Sequence, residues 1–350
     1  MNPPAPKSAS FLRPLGLFSL LLLCWQASLS ARAGDDFAVT VHGGDTLIGI
    51  SQRYLENPER WPELKRLNRI KNDKHLQPAS VVRIPMAWVR WSELSAEVVH
   101  ATGTVRAILN GATSSAPTLL TAGMKLKAGD TFDTGTDGAL TLRLSDGSTV
   151  VFAPKTQGGL GVSREISGTN VRTTIIDLRG GSAEIAVQPL KEPTSRFEIR
   201  TPRVVTAVRG TQFRVGADDN TSRHEVLSGA VAVAGVDAAG GSVVANPTTA
   251  TRLGPAQGLR AEGSILGKVV PLLPAPSVTQ VPQRIERTLQ RLAVPASAGA
   301  TAWRWQVAAD AAFTQLLQDE RTPEPVWHLT RLDDGDYHLR VRAADAQGLE

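Results

Sequence analysis

Residues 201–215, TPRVVTAVRGTQFRV, form a strand-prone run broken once, at Arg209-Gly210. Before the break, Phe197, Ile199, Val205 and Ala207 alternate with their neighbours. After it, Phe213 and Val215 alternate with Gln212 and Arg214. Side chains on a strand point to opposite faces in turn, so the pattern predicts two half-buried strands joined at a glycine. Glycine at the join permits a turn or a close backbone approach that a Cβ would obstruct. Phe197, Val205, Phe213 and Val215 form the expected inward set.

The surrounding chain, from about Ala96 to Ala261, has the same character. Short β-prone runs are separated by Gly129-Asp130, Asp137-Gly138, Asp146-Gly147, Gly180-Gly181 and Ser228-Gly229. Asp146-Gly147 lies between ALTLRL (139–144) and STVVF (148–152), a strong hairpin signal. A faint repeat is present: IDLRG (176–180) leads into AEIAV (183–187), and EVLSG (225–229) into AVAV (230–233). Repeated short strands with turns suggest a coiled, solenoid-like sheet whose rungs cover one another, with a β-sandwich as the competing architecture. Asp130, Asp137 and Asp146 sit beside glycines without the dense Asp/Asn spacing of a calcium loop, and read as turn residues. A guanidinium at Arg209 suits an anion; internal pairing or capping of a strand end is the preferred reading.

The segments KLKAGDTFDTG, ALTLRLSDGSTVVFAP, LRGGSAEI, FEIRTPRVVTAVRGTQFRV and VLSGAVAVAG resemble, in order, the FecR-like periplasmic domains. The resemblance covers residues 96–255. It implies a periplasmic β domain that contacts other proteins. Members of that family also carry a cytoplasmic sigma-factor-binding segment and a membrane span. This chain has an export-like leader and a different module in that place, so direct sigma-factor control is not expected.

That module occupies residues 38–85. Strand-like AVTV (38–41) and VVRIP (81–85) flank two helical patterns. Leu47, Ile50 and Tyr54 recur at helical spacing. Asn57-Pro58 supplies an N-cap and a first-turn proline to a helix whose buried stripe is Trp61, Leu64 and Leu67. The order is strand, helix, helix, strand. VTVHGGDTLIGISQRY, NPERWPELKRLN and LQPASVVRIP resemble the LysM glycan-binding modules. The resemblance implies a shallow groove for N-acetylglucosamine polymers, formed by Gly44, Asp45, Thr46 and Leu47 on one side and Leu76, Gln77 and Pro78 on the other. Main-chain amides and carbonyls suit the neutral hydroxyl and N-acetyl groups of a sugar, and Leu47 and Leu76 suit its apolar faces. Asp45 reads as a helix cap before a sugar ligand. Ala79 stands where the family often has glycine.

The chain has 350 residues, 41% hydrophobic and 20% charged, enough for several packed domains. Its formal charge is +5, but Lys7, Arg13 and Arg32 lie in the leader, and the remainder is close to neutral. No dense basic stripe with interleaved aromatics points to nucleic acid. Residues 1–33 read as a signal peptide: a basic start, the apolar run Leu15–Leu23, then Ala31-Arg32-Ala33. The one cysteine, Cys24, falls inside it, so the exported chain has neither disulfide nor thiol nucleophile. No other segment reads as a membrane span.

Pro271, Pro274, Pro276 and Pro282 mark a stiff linker over 256–282. Residues 283–350, with WRWQVA (303–308) and GDYHLRVRAAD (335–345), resemble a fibronectin type III-like module lacking a final strand, cut from a longer chain or incomplete. Trp303 and Trp305 share a strand face and are expected in its core.

The sequence therefore reads as a mainly β, multidomain chain: a βααβ module, a solenoid-like or sandwich domain, and a β-sandwich module. No catalytic residues, metal ligands or cofactor are expected: histidines are scattered, and neither G-x-S-x-G nor a phosphate loop is present. The expected role is a non-enzymatic periplasmic or envelope-associated protein that binds peptidoglycan and an envelope protein partner. A sensor component of a signal relay and a cell-wall hydrolase on an unrecognised site are the alternatives.

Overall fold

The computed structural model describes residues 36–111, 116–236, 250–286, 290–330 and 332–350. The proposed leader and Cys24 lie outside these residues. Three hydrophobic clusters organise the chain.

The first belongs to the N-terminal module. Strand β1 (Asp36–Thr40) pairs antiparallel with β2 (Val81–Pro85), with Val39 opposite Val82. Between them lie α1 (Leu47–Tyr54) and α2 (Trp61–Leu67). Leu47, Ile50, Leu64, Val82 and Ile84 are fully or almost fully buried. Asn57 caps a 3-10 turn that leads into α2, its Oδ1 accepting from Glu59 N at 3.1 Å. Leu67 departs from the expected stripe: it ends α2 and is 49% exposed. The same cluster contains Ile166 and Val171, far along the chain, with Trp88 and Trp91 packed against it. Arg60 stacks 3.8 Å over Trp88 and Arg164 4.1 Å over Trp91. The small module and the β region thus share one core.

The β region runs through β3 (Trp91–Glu93), β4 (Ala96–Thr102), β5 (Arg106–Ile108), β6 (Thr118–Leu119), β7 (Lys125–Leu126) and β8 (Thr131–Asp133). It continues through β9 (Ala139–Arg143), β10 (Thr149–Phe152), β11 (Gln157–Ile166), β12 (Arg172–Ala186), β13 (Arg196–Arg200) and β14 (Val204–Val208). Then come β15 (Gln212–Ala217), β16 (Thr221–Ser228), β17 (Val231–Gly235), β18 (Thr251–Leu253), β19 (Gln257–Glu262), β20 (Ile265–Leu266) and β21 (Val270–Pro271).

These strands form two facing layers. The first runs β6-β5-β8-β11-β12-β13-β14-β17-β18. The second runs β7-β4-β9-β10-β12-β15-β16-β19-β20. Strand β12 belongs to both: up to Gly180 it pairs with β11, and from Gly181 with β15. Pairs of strands are added to the layers alternately, so the domain is a sandwich in section and advances like a solenoid. Its core holds Phe132 against Phe152, ring centroids 4.5 Å apart, with Leu140, Ile185, Phe197, Phe213 and Val215.

Glycines mark where the chain changes layer. Gly180-Gly181 is no turn between strands but the crossing point inside one 15-residue strand. A Cβ on Gly181 would lie 2.5 Å from the Lys155 carbonyl oxygen. Arg209-Gly210 likewise joins β14 in the first layer to β15 in the second; the two strands pair with other neighbours. Gly210 has φ +102°, and a Cβ there would meet Pro189 Cα at 2.8 Å. On β14 the inward set is shifted by one from the expected register. Val204 and Val208 lie in the inter-layer cluster, whereas Val205 is buried outside it. Thr206, between the two, faces His224 across the gap. A one-residue shift exchanges the faces of a strand.

The Asp146-Gly147 hairpin joins β9 to β10 as the sequence predicts. The second layer continues beyond residue 255, because β19–β21 pair within it; the stretch read as the start of a linker is part of the sheet. The C-terminal region contains β22 (Gln290–Ala293), β23 (Ala302–Ala308), β24 (Leu316–Thr322), β25 (Val326–Leu329) and β26 (His338–Ala344). Strands β22 and β25 pair, and β24-β23-β26 form a second sheet. Trp303, Trp305 and Trp327 are buried in the cluster between them.

Candidate functional site

Two loops of the N-terminal module meet beside the β1–β2 ladder. Val41 N donates to Ser80 O and Ala79 N to Val41 O, both at 2.8 Å, which sets the 77–80 turn next to His42–Gly44. Leu47 N donates to Asp73 O at 2.9 Å and ties the 72–76 loop to the start of α1. Of the residues named from sequence, Gly44, Asp45, Thr46, Leu76, Gln77 and Pro78 lie on these two adjoining loops, and Leu47 opens α1 directly after the first.

Their roles differ. Thr46, not Asp45, is the N-cap of α1: its Oγ1 accepts from Gly49 N at 3.1 Å. The Asp45 carboxylate instead accepts from His42 N at 2.8 Å and lies 3.6 Å from the Arg53 guanidinium. It closes the tight turn containing Gly44, whose φ is +89°. Leu47 has no exposed surface, so its side chain anchors the loop in the core and cannot meet a sugar face. Leu76 is partly buried against the same core. Gln77 and Pro78 are exposed, and Gln77 O accepts from Ser80 N and Ser80 Oγ. Ala79 has φ +65°, the left-handed conformation that explains why glycine suits this position. Gly43 and Gly44 are exposed, and a Cβ built on either meets nothing within 4 Å. The loops thus leave open space over exposed main chain.

Sequence reasoning missed the residues that hold the loops. Asp73 pairs with Lys65 at 2.5 Å, and this hydrogen bond holds its carboxyl below the usual carboxylate range. Asn68 donates to Leu64 O and Arg83 O and accepts from Arg83 N at 2.7 Å, joining α2 to β2. Asn68 closes the W-x-x-L-x-x-L-N run, and that position was its only signal.

In the β region the suspected chemistry resolves into structure. Arg209 donates to the carbonyls of Pro193 (2.8 Å), Glu192 (2.9 Å) and Leu190 (3.3 Å), clamping the loop before β13. Asp130 accepts from Asn110 N and Lys127 N, both at 2.6 Å, and Asp146 from Ser148 N at 2.8 Å. Among the described residues no group of three or more His, Cys, Asp or Glu is placed to hold a metal ion. No helix among them is long and apolar enough to cross a membrane.

Comparison with known proteins finds two families in the chain. Residues 39–85 match the family model for the LysM domain, and residues 130–232 match that for the FecR protein. The search of curated proteins found no match. Among solved structures, similarity extends to two crystal structures of a proposed anti-sigma factor from Parabacteroides distasonis, at 1.65 and 2.50 Å resolution. They are 18% and 19% identical over 40% of this chain, with TM-scores of 0.30 and 0.29, and this chain spans 57% of their length. The chain carries a LysM domain at residues 39–85 followed by a FecR region at residues 130–232.

Proposed function

We propose that this chain is a non-enzymatic protein of the cell envelope, exported to the periplasm, which holds peptidoglycan through its LysM domain and presents its β region to a protein partner. The observation that carries the reading is the LysM match over residues 39–85. Open space over the exposed Gly43-Gly44 main chain supports it. Gly44, Asp45 and Thr46 on one loop and Leu76, Gln77 and Pro78 on the other would contact N-acetylglucosamine units, with Leu47 holding the first loop in place. One shallow site binds a polymer usefully because the ligand repeats. The full chain should pellet with purified sacculi and be displaced by soluble N-acetylglucosamine oligomers. Failure to pellet across a range of salt removes the reading. Release of soluble muropeptides in the same assay would point instead to a hydrolase.

The FecR match favours a second reading, a sensor component of an envelope relay. Deletion of a sensor alters a defined set of transcripts. Deletion of a scaffold leaves them unchanged while its envelope partners are lost from cross-links made across residues 96–255.

A further inference from the structure

The β layers enclose two gaps of opposite chemistry. Between the first and second layers the side chains are almost all apolar, the His224 ring held by Thr206 and Ser222 being the exception. Between the second layer and the C-terminal sheet they are ionic. Glu184 on β12 accepts from Arg340 on β26 through both carboxylate oxygens, each at 2.9 Å, and also from Arg342. Arg340 and Arg342 share the Gln306 side-chain oxygen on β23. Arg304 on β23 is held by Asp319 at 2.7 and 2.8 Å and reaches across to Ser182 at 2.9 Å. Arg214 and Glu225 pair at 2.6 Å on the second layer; Glu225 accepts from Glu350 N at 3.0 Å, and the Glu350 carboxylate takes Arg342 at 3.1 Å. At the margin, Thr102 and Thr141 donate to the carbonyls of Leu316 (2.8 Å) and Thr314 (2.6 Å). A cavity of about 390 Å³ remains in this gap.

Opening an apolar gap exposes surface that water disfavours, and both halves resist it. An ionic gap behaves differently. Desolvating each charge is costly, and mutual pairing repays the cost only while the set is complete. Once apart, both faces are charged, rehydrate at once and need no new cover. Interfaces of this polar kind are those between domains that move relative to one another.

We propose that the C-terminal module, residues 290–350, is a releasable cover on the outer face of the second layer, latched by the Glu184–Arg340–Arg342 cluster. Its release bares a strip of β12, β15 and β16 carrying Glu184, Arg214 and Glu225, while both modules keep their own cores. The closed form hides this strip from any partner of the β region.

The test is a double-substitution cycle in the full chain. Small-angle scattering reads opening; the near-ultraviolet signal of Trp303, Trp305 and Trp327 reads the fold of the cover. Glu184→Gln strands the Arg340 guanidinium and should shift the closed-to-open ratio toward open by on the order of a hundredfold. Glu184→Gln with Arg340→Gln removes both partners and should restore the closed form by roughly tenfold or more relative to Glu184→Gln alone. The proposal is overturned if Glu184→Gln stays as compact as the parent. It is equally overturned if the variant loses its tryptophan signal, since the contact would then belong to the module's fold. No recovery in the double variant would also refute the latch.

Discussion

His224 gives the sharpest quantitative expectation. It lies on β16 with no exposed surface, and both ring nitrogens meet hydroxyls: Nδ1 with Thr206 Oγ1 at 2.8 Å and Nε2 with Ser222 Oγ at 2.9 Å. Thr206 belongs to the first layer, so the ring bridges the gap inside the sandwich. Burial, helped by the neighbouring Arg223 charge, pushes its pKa down from 6.5 to about 3. The folded protein therefore binds fewer protons than the unfolded chain below pH 6.5. Stability is full above that pH, begins to fall as pH drops through 6.5, and stops falling near 3. At pH 5 the loss is about 2 kcal/mol, from 1.5 pH units at 1.36 kcal/mol each. Glu184, held near 2 against the cost of burial by Arg342 and Arg340, loses its contribution only below its ordinary 4.5. Half-buried His100 is also lowered by burial and acts in the same window as His224, so a substitution is needed to separate them. His224→Leu should cost about 1–3 kcal/mol at pH 7.5, through the hydroxyls it leaves unpaired. Its deficit against the parent should shrink by about 2 kcal/mol at pH 5. Among the described residues the sandwich core holds no tryptophan, so fluorescence would report the other modules. Hydrogen exchange of β14–β17 amides in increasing urea is the suitable assay. Parallel loss of stability in parent and variant between pH 7.5 and 5 would refute the argument.

Four further substitutions probe the fold and the site. Gly210→Val places a β-branched residue at φ +102° and a Cβ 2.8 Å from Pro189 Cα; it should destabilise the β region by about 3 kcal/mol or more while sacculus pelleting persists, and unchanged exchange rates in β14 and β15 would count against it. Leu47→Ala should cost the N-terminal module about 2–5 kcal/mol. Thr46→Ala, which removes only the cap of α1, should cost about 1 kcal/mol; thermal melting of the two variants separates anchor from cap. Arg209→Ala loses three hydrogen bonds at an exposed position and should cost about 1 kcal/mol. Its signature is faster exchange confined to the loop before β13.

Local patterns were legible where the physics is local. The Asp146-Gly147 hairpin, the Asn57-Pro58 start and the tryptophan core of the C-terminal module all depend on neighbours within a few residues. Inference weakened where long-range pairing decides. Gly180-Gly181 looks like a turn in sequence, yet it lets one strand cross between layers, because Lys155 and Thr156 pack against the backbone there. The β14 register is hidden in sequence for a similar reason: Val204, Val205 and Val208 are all apolar, and Thr206 meeting His224 from the other layer marks the set that faces inward. Thr46 took the capping role given to Asp45 because the turn at Gly44 draws Asp45 back to His42. The charged residues on β12, β15, β23 and β26 carried no signal at all. Along each strand they look like a solvated face, and they become a covered network only when the fold brings Arg340 and Arg342, 156 and 158 positions along the chain, onto Glu184. A period-two pattern marks which side of a strand is polar; whether water or another sheet lies on that side is decided by the rest of the chain. In this protein that distinction separates a permanent core from a contact that can open.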